Sequence, residues 1–180
     1  EYDPNAYERP SVTADNIVFA IRDGKTVLLL IRRGNHPYIG QWAFPGGFVN
    51  MDESTEDAAA RELKEETGIE ARGEQLYTVS TPGRDPRTSI VTVCYLSVLP
   101  APVEAKGADD AAEAGWFTID YVREGEHYAL KLTGPQTLTA ELAVVRDAKG
   151  QIDVNRTQII CSDGIAFDHA KLILYAIEKL

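Results

Sequence analysis

The chain has 180 residues, 44% hydrophobic and 26% charged, an ordinary balance for a globular protein with room for a buried core. Its net charge of −10 argues against a nucleic-acid-binding surface, which needs clustered Lys and Arg. Small anionic substrates stay open, because a divalent cation held by carboxylates can recruit them.

No apolar run approaches the roughly 20 residues that span a membrane, and no secretory signal opens the chain, which begins at Glu1. The expectation is a single cytoplasmic domain over 1–180 with neither a membrane nor a nucleic-acid partner.

Residues 1–12 read as a polar arm with Pro4 and Pro10. Residues 16–33, NIVFAIRDGKTVLLLIRR, form two β-branched apolar runs meeting at Asp23-Gly24, a hairpin signal. A Gly- and Pro-rich loop carrying Tyr38, Trp42 and Phe44 follows, and then GGFVNMDESTEDAAARELKEETGIE, a loop passing into a helix. EQLYTVS reads as a strand, TPGRDPR as a turn and TSIVTVCYLSVL as a long buried strand. The acidic stretch from Pro100 leads to a short strand, WFTI, at 116–119. Residues 137–160 resemble a second hairpin turning at Asp147 to Gly150, inside a segment, 121–163, that reads as an insertion.

Residues 164–180 close the chain as a helix. There Phe167, Ala170, Ile173, Leu174, Ile177 and Leu180 fall at helical spacing, so one face should pack on the core. Cys94 and Cys161 lie in apolar runs and read as buried thiols without zinc-site spacing. His36, His127 and His169 have no partners at ligand spacing and read as structural or solvent-facing.

The segment from Gly46 to Glu70 carries the chemistry. Ser54 or Thr55 is a helix N-cap with Asp57 in a capping-box position, and Gly68 is a C-terminal stop, so the helix should run from about Thr55 to Thr67. At about 100° per residue, Ala59, Ala60, Leu63 and Thr67 are expected on the core side. Arg61, Glu62, Glu65 and Glu66 are expected on the opposite side with Ala58. Like charges three and four apart repel, and a bound hard cation reverses that sign. Arg61 can hold one carboxylate in a bidentate pair, and Gly46 and Gly47 permit a close approach of metal or phosphate, with the Gly46 carbonyl a candidate ligand.

Gly47, five residues, Glu53, seven residues, Arg61-Glu62-Leu63, one residue, Glu65-Glu66, one residue and Gly68-Ile69 make up a complete Nudix box. The chain resembles the Nudix hydrolase family over about Asn16 to Asp120 and the last helix. That resemblance implies an α/β fold, the Nudix α/β/α sandwich around a mixed β-sheet, with an extra C-terminal β-hairpin and helix. It also implies hydrolysis of a nucleoside diphosphate linked to another group, using water and Mg²⁺ or Mn²⁺. Carried over by residue, Glu62 and Glu66 would be the principal metal ligands, with Glu65 completing the site. Glu53 would be a ligand or a supporting group, and Arg61 would orient the glutamates. The general base would be Glu66, Glu65 or Glu113; the last precedes Gly115-Trp116-Phe117, and its other reading is a solvated loop acid.

TPGRDPR, YERPSVTADNIVF and AFDHAKLIL resemble the branch that contains ADP-ribose pyrophosphatases and a Nudix-related regulator of NAD metabolism. The substrate implied is ADP-ribose, cleaved to AMP and ribose 5-phosphate. The alternatives are another nucleotide sugar, a dinucleotide or an oxidised nucleotide, or a sensing domain that binds an ADP-ribose-like effector without turnover. Candidate substrate contacts are Arg32, Arg33, Phe44, Gly47, Arg84 and Arg87, although Arg84 and Arg87 also fit a turn stabilised by Asp85. Tyr38, Trp42 and Phe44 either stack on a base or belong to the core. The 121–163 hairpin either covers the pocket or builds a homodimer interface.

Overall fold

A computed structural model describes residues 2–180. Ten strands and two helices follow in order: β1 (Ser11–Arg22), β2 (Lys25–Arg33), β3 (Trp42–Ala43), β4 (Gly46–Phe48), α1 (Thr55–Thr67), β5 (Glu74–Val79), β6 (Ile90–Leu99), β7 (Ala111–Glu124), β8 (His127–Thr133), β9 (Thr137–Ala143), β10 (Gln158–Asp163) and α2 (His169–Ile177). The sheet order is β10-β9-β8-β7-β2-β1-β6-β5. β1 and β6 run parallel and the other pairs antiparallel, so the sheet is mixed, as the resemblance implied.

The two central strands are apolar on both faces because both are covered. Ile17, Phe19, Leu28 and Leu30 cluster with Leu172 and Ile173 of α2, while Val18, Ala20, Val27 and Leu29 cluster with Leu63 of α1. Alternate residues of a strand point to opposite faces, so the two helices lie on opposite sides of the sheet. The β1–β2 turn has Asp23 and Gly24 at φ 53° and 73°, the paired positive values of a type I′ hairpin.

Beyond that hairpin the central strands fork. Phe19–Arg22 of β1 pair with Lys25–Leu28 of β2. Nearer its start, β1 pairs with β4 instead (Thr13 with Phe48, Ala14 with Gly47, Asp15 with Gly46), while the end of β2 takes β3 (Ile31 with Ala43, Arg32 with Trp42). The parting strands therefore receive new backbone partners from the glycine loop. Asn16, 1% exposed, sits in the fork: its side chain donates to the carbonyls of Ala59 at 2.8 Å and Pro45 at 3.2 Å. One residue thus joins β1, the glycine loop and α1.

Several expectations need correction. β1 begins at Ser11, two residues inside the predicted arm, because Ser11 and Val12 pair with Ile90 and Val91. The predicted short strand at 116–119 is the middle of a 14-residue β7. Residues 121–163 are the end of β7 and three further strands that widen the same sheet. In β8 and β9 buried Tyr128, Leu130, Leu132, Leu138, Ala140 and Leu142 alternate with exposed residues, the pattern of strands covered on one face. The Asp147–Gly150 turn is present, with the Gly150 amide donating to the Asp147 carbonyl at 3.0 Å, but it tips a longer excursion between β9 and β10. Cys94 is buried, whereas Cys161 is exposed on edge strand β10 beside a bulge. α2 is buried almost all round rather than on one face, and Leu180 is exposed.

Candidate active site

α1 starts and stops where its caps dictate. The Asp57 amide donates to the Ser54 hydroxyl at 3.0 Å, the Ser54 hydroxyl donates to the Asp57 carboxylate at 2.9 Å, and Gly68 closes the helix in the left-handed region at φ 76°. The buried residues of α1 are Ala58, Ala59, Leu63, Glu66 and Thr67. At about 100° per residue, Glu66 falls between Ala58 and Ala59, in the middle of the buried arc and not opposite it. The expected opposition of core and carboxylate faces is thus wrong: the helix buries a charge-bearing stripe against the fork, and Ala60 lies at its edge.

Arg61 uses all five of its N–H donors. Its Nε and Nη2 hold the two oxygens of Glu53 at 3.0 and 2.7 Å, its Nη1 reaches Glu62 at 2.7 Å and Glu65 at 2.9 Å, and Nη2 also donates to the Phe48 carbonyl at 3.1 Å. Those bonds hold the Glu53 carboxyl down to about 2 and raise the Arg61 pKa further. Glu66 has no guanidinium. It is 4% exposed, and its Oε2 accepts from the Gly46 amide at 2.8 Å. Burial pushes its carboxyl up to about 8, against the pull of that amide. Burial also raises Glu62 despite Arg61.

The glycines are required by close approach. A Cβ on Gly47 would meet Glu62 Oε1 at 2.5 Å, and one on Gly46 would collide with Ala14 and Asp15. Only bare backbone fits between β1 and the carboxylates.

These groups line one cleft of about 310 Å³ together with Thr13, Asp15, Arg33, Asn35, Phe44, Phe48, Arg84, Asp85, Arg87, Thr92, Asp109, Asp110, Phe167 and His169. Carboxylates and guanidinium groups share it, a suitable environment for a polyanion bound with a cation. Among the described residues no three His, Cys, Asp or Glu side chains converge as a ready-made metal cage; Arg61 draws Glu53, Glu62 and Glu65 onto itself. The donor set nevertheless fits a hard divalent cation. Glu66 is a buried carboxylate with a single amide partner, Glu62 and Glu65 each keep an oxygen that Arg61 does not bind, and such ions complete their shells with water and substrate oxygens.

A NUDIX domain family model matches residues 12–133. The chain belongs to the Nudix family. This Nudix protein is 41% identical over 116 residues to the ADP-ribose pyrophosphatase of Methanocaldococcus jannaschii, an alignment covering 63% of this chain and 65% of that protein. It is 32% identical over 123 residues to the ADPR responsive transcriptional repressor NtrR of Acinetobacter baylyi, covering 67% of this chain and 49% of that one. The chain therefore spans about half to two thirds of the length of these curated relatives. The crystal structure of the NUDIX domain of Shewanella oneidensis NrtR in complex with ADP ribose superimposes with a TM-score of 0.68 at 28% identity, over 99% of this chain and 93% of that one.

Not every predicted site residue reaches the cleft of this Nudix domain. Gly46, Gly47, Arg61, Glu62, Glu65 and Glu66 line it, as do Arg33, Phe44, Arg84 and Arg87, while Glu53 stands behind them on Arg61. Arg32 and Glu113 do not line it: they face each other across β2 and β7 as a half-exposed ion pair at 3.4 Å. Alternation explains this, since Arg33, one residue on from Arg32, is the neighbour that faces the cleft. The acids that the segment before β7 does bring to the cleft are Asp109 and Asp110.

Arg84 is buried and committed elsewhere. Its Nε and Nη2 bind both Asp168 oxygens at 2.9 and 2.6 Å, and its Nη1 binds Thr92 at 2.6 Å. Burial works against both charges, but the pairing wins, holding Asp168 below and Arg84 above their ordinary values. Trp42 is core, Tyr38 packs edge-on to Phe167, and Phe44 stacks on His169 at 4.4 Å.

His169, expected to be structural or solvent-facing, is buried and structural, and it also lines the cleft. It is 3% exposed in the cleft wall; its Nδ1 accepts the Phe44 amide at 3.1 Å and its Nε2 lies 3.4 Å from Asp15. Asp15, Phe48, Phe167 and His169 were all missed. Only Phe48, beside the glycines, carried a local signal.

Proposed function

We propose that the cleft is the active site of a metal-dependent pyrophosphohydrolase acting on a nucleoside diphosphate linked to a second group. ADP-ribose, cleaved to AMP and ribose 5-phosphate, is the first substrate to test. The observation that carries this reading is the junction of two charge systems in one cleft. Glu62, Glu65 and Glu66 lie beside the Gly46-Gly47 backbone, and Arg33 and Arg87 line the same space. Arg33, half-buried and close to Arg87, has its charge disfavoured, a strain that a bound phosphate would relieve.

Glu62 and Glu66, with Glu65, would hold Mg²⁺ or Mn²⁺. When bound, such an ion neutralises diphosphate charge and lowers the pKa of coordinated water. The chain's own residues do the rest. Arg61 fixes Glu53, Glu62 and Glu65 relative to one another, the bare glycines let the diphosphate approach, and Arg33 and Arg87 bind its oxygens. Hydrolysis adds water across one P–O–P bridge: oxygen bonds to phosphorus, the bridging bond breaks, and a carboxylate takes the proton. Glu65 and Glu66 line the cleft and serve that role, whereas Glu113 does not.

The test is turnover by the full chain with Mg²⁺ or Mn²⁺ against ADP-ribose, ADP-sugars, NADH, dinucleoside polyphosphates and nucleoside triphosphates, with Glu66→Gln alongside. AMP and ribose 5-phosphate from ADP-ribose, lost in the variant, is the expected result. The similarity to an ADPR responsive repressor supports a second reading, binding without turnover. No products combined with a raised Tm in ADP-ribose would select it.

A further inference from the structure

Most apolar side chains of the cleft are already covered. Ile31, Ala43 and Phe44 are 2%, 1% and 2% exposed. Phe167 is only partly buried, but its ring is occupied: Tyr38 at 4.7 Å, His169 at 5.4 Å, and the guanidinium carbons of Arg33 at 5.0 Å and Arg87 at 5.8 Å surround it. Phe48 differs. It lines the same cleft and is 45% exposed, and the Arg87 guanidinium lies 5.0 Å from its ring centroid.

The backbone that carries the ring and the guanidinium that backs it are both fixed. The backbone of Phe48 pairs with Thr13 of β1, and its carbonyl accepts from Arg61 Nη2. Arg87 cannot swing away easily, because Asp85, 6% exposed, takes its Nε at 3.0 Å and its Nη2 at 2.7 Å and also its backbone amide at 2.9 Å. A large ring left 45% exposed forfeits part of its burial free energy. It gains a use where a flat ligand covers it, because stacking needs a fixed aromatic face and no particular hydrogen-bonding edge.

We propose that Phe48 is the stacking platform for the base of the bound nucleotide, its ring backed by the Arg87 guanidinium. The proposal rests on the nucleotide reading of the cleft. It adds the part of the ligand that the carboxylates and arginines do not read: a diphosphate in the cleft lies next to Gly47, and Phe48 is the following residue. The preference expected is for a planar heteroaromatic base over a sugar or open solvent at that position.

The experiment is calorimetric titration of the wild type, Phe48→Ala and Phe48→Trp with AMP, and with inorganic pyrophosphate as the ligand that has no base. Phe48→Ala should weaken AMP binding roughly five- to a hundredfold and leave pyrophosphate binding unchanged. Phe48→Trp should keep AMP affinity, and its added fluorescence should be quenched by AMP. Wild type that fails to bind AMP overturns the nucleotide reading and the platform with it. Wild type that binds AMP, with Phe48→Ala binding equally well or losing pyrophosphate to the same degree, overturns the platform alone.

Discussion

Replacing Arg84 by Met separates a structural arginine from a substrate-binding one. The Arg84–Asp168 side chains are 5% and 11% exposed and joined by two hydrogen bonds, with a third to Thr92. Met keeps the volume of the stem but leaves Asp168 buried without its countercharge, which costs about 3–5 kcal/mol. In a chain of this size that lowers Tm by about 6–20 °C.

The pH dependence has a definite sign. Asp168 is held below its ordinary value in the folded state, so the pair's contribution is complete above the unfolded carboxylate value of about 3.9 and is lost as pH falls through the folded value. The gap between wild type and variant should be full at pH 7 and narrow in acid. Urea unfolding of wild type, Arg84→Met, Asp168→Asn and the double variant would measure the coupling directly. A single variant within about 1 kcal/mol of wild type at pH 7 would refute the reasoning. So would a rise in KM for nucleotide without any loss of stability.

The glutamates give predictions of the opposite kind. In chelator at pH 7, Glu66→Gln should raise Tm, because the folded state disfavours an ionised Glu66 from pH 4.5 upward, by about 3 kcal/mol at pH 7; thermal melts at pH 5 and pH 7 should show a much larger gain at the higher value. Gly47→Ala should spare the fold, since the Cβ meets only the end of the Glu62 side chain, yet displace that carboxylate, so activity should fall well over tenfold while Tm moves little. Arg61→Lys, with three donors in place of five, should lower activity or metal affinity roughly 10- to 100-fold, read from titrations with Mg²⁺ or Mn²⁺.

Legibility in the sequence followed sequence distance. The span of α1 could be read to the residue because Ser54, Asp57 and Gly68 act locally. The cluster around Arg61 could be read because its members are neighbours on one helix or the loop before it. The depth of Glu66 could not, because a charged residue on a helical projection is placed outward by default and only the fork in the sheet gives it an inward place. Asp15 and His169 lie 154 residues apart and meet at 3.4 Å only after β1 and α2 have been placed. Arg32 and Glu113 looked functional by type and by nearness to the motif, but strand register turns them onto each other. β8 was missed for a different reason: its alternation is clear once its hairpins are known, and neither bounding turn, at Gly125 or at Pro135, was recognised.

The fork between β1 and β2 also bears on how the cleft can adapt. Its inner edges are strands whose backbone groups are paired with β3 and β4, so widening it means breaking sheet hydrogen bonds next to the central strands. A lineage that changes ligand therefore has little freedom at the floor. It has more in the segments around 34–41 and 104–110, where substitutions and insertions alter the rim while the strand pairing beneath stays intact.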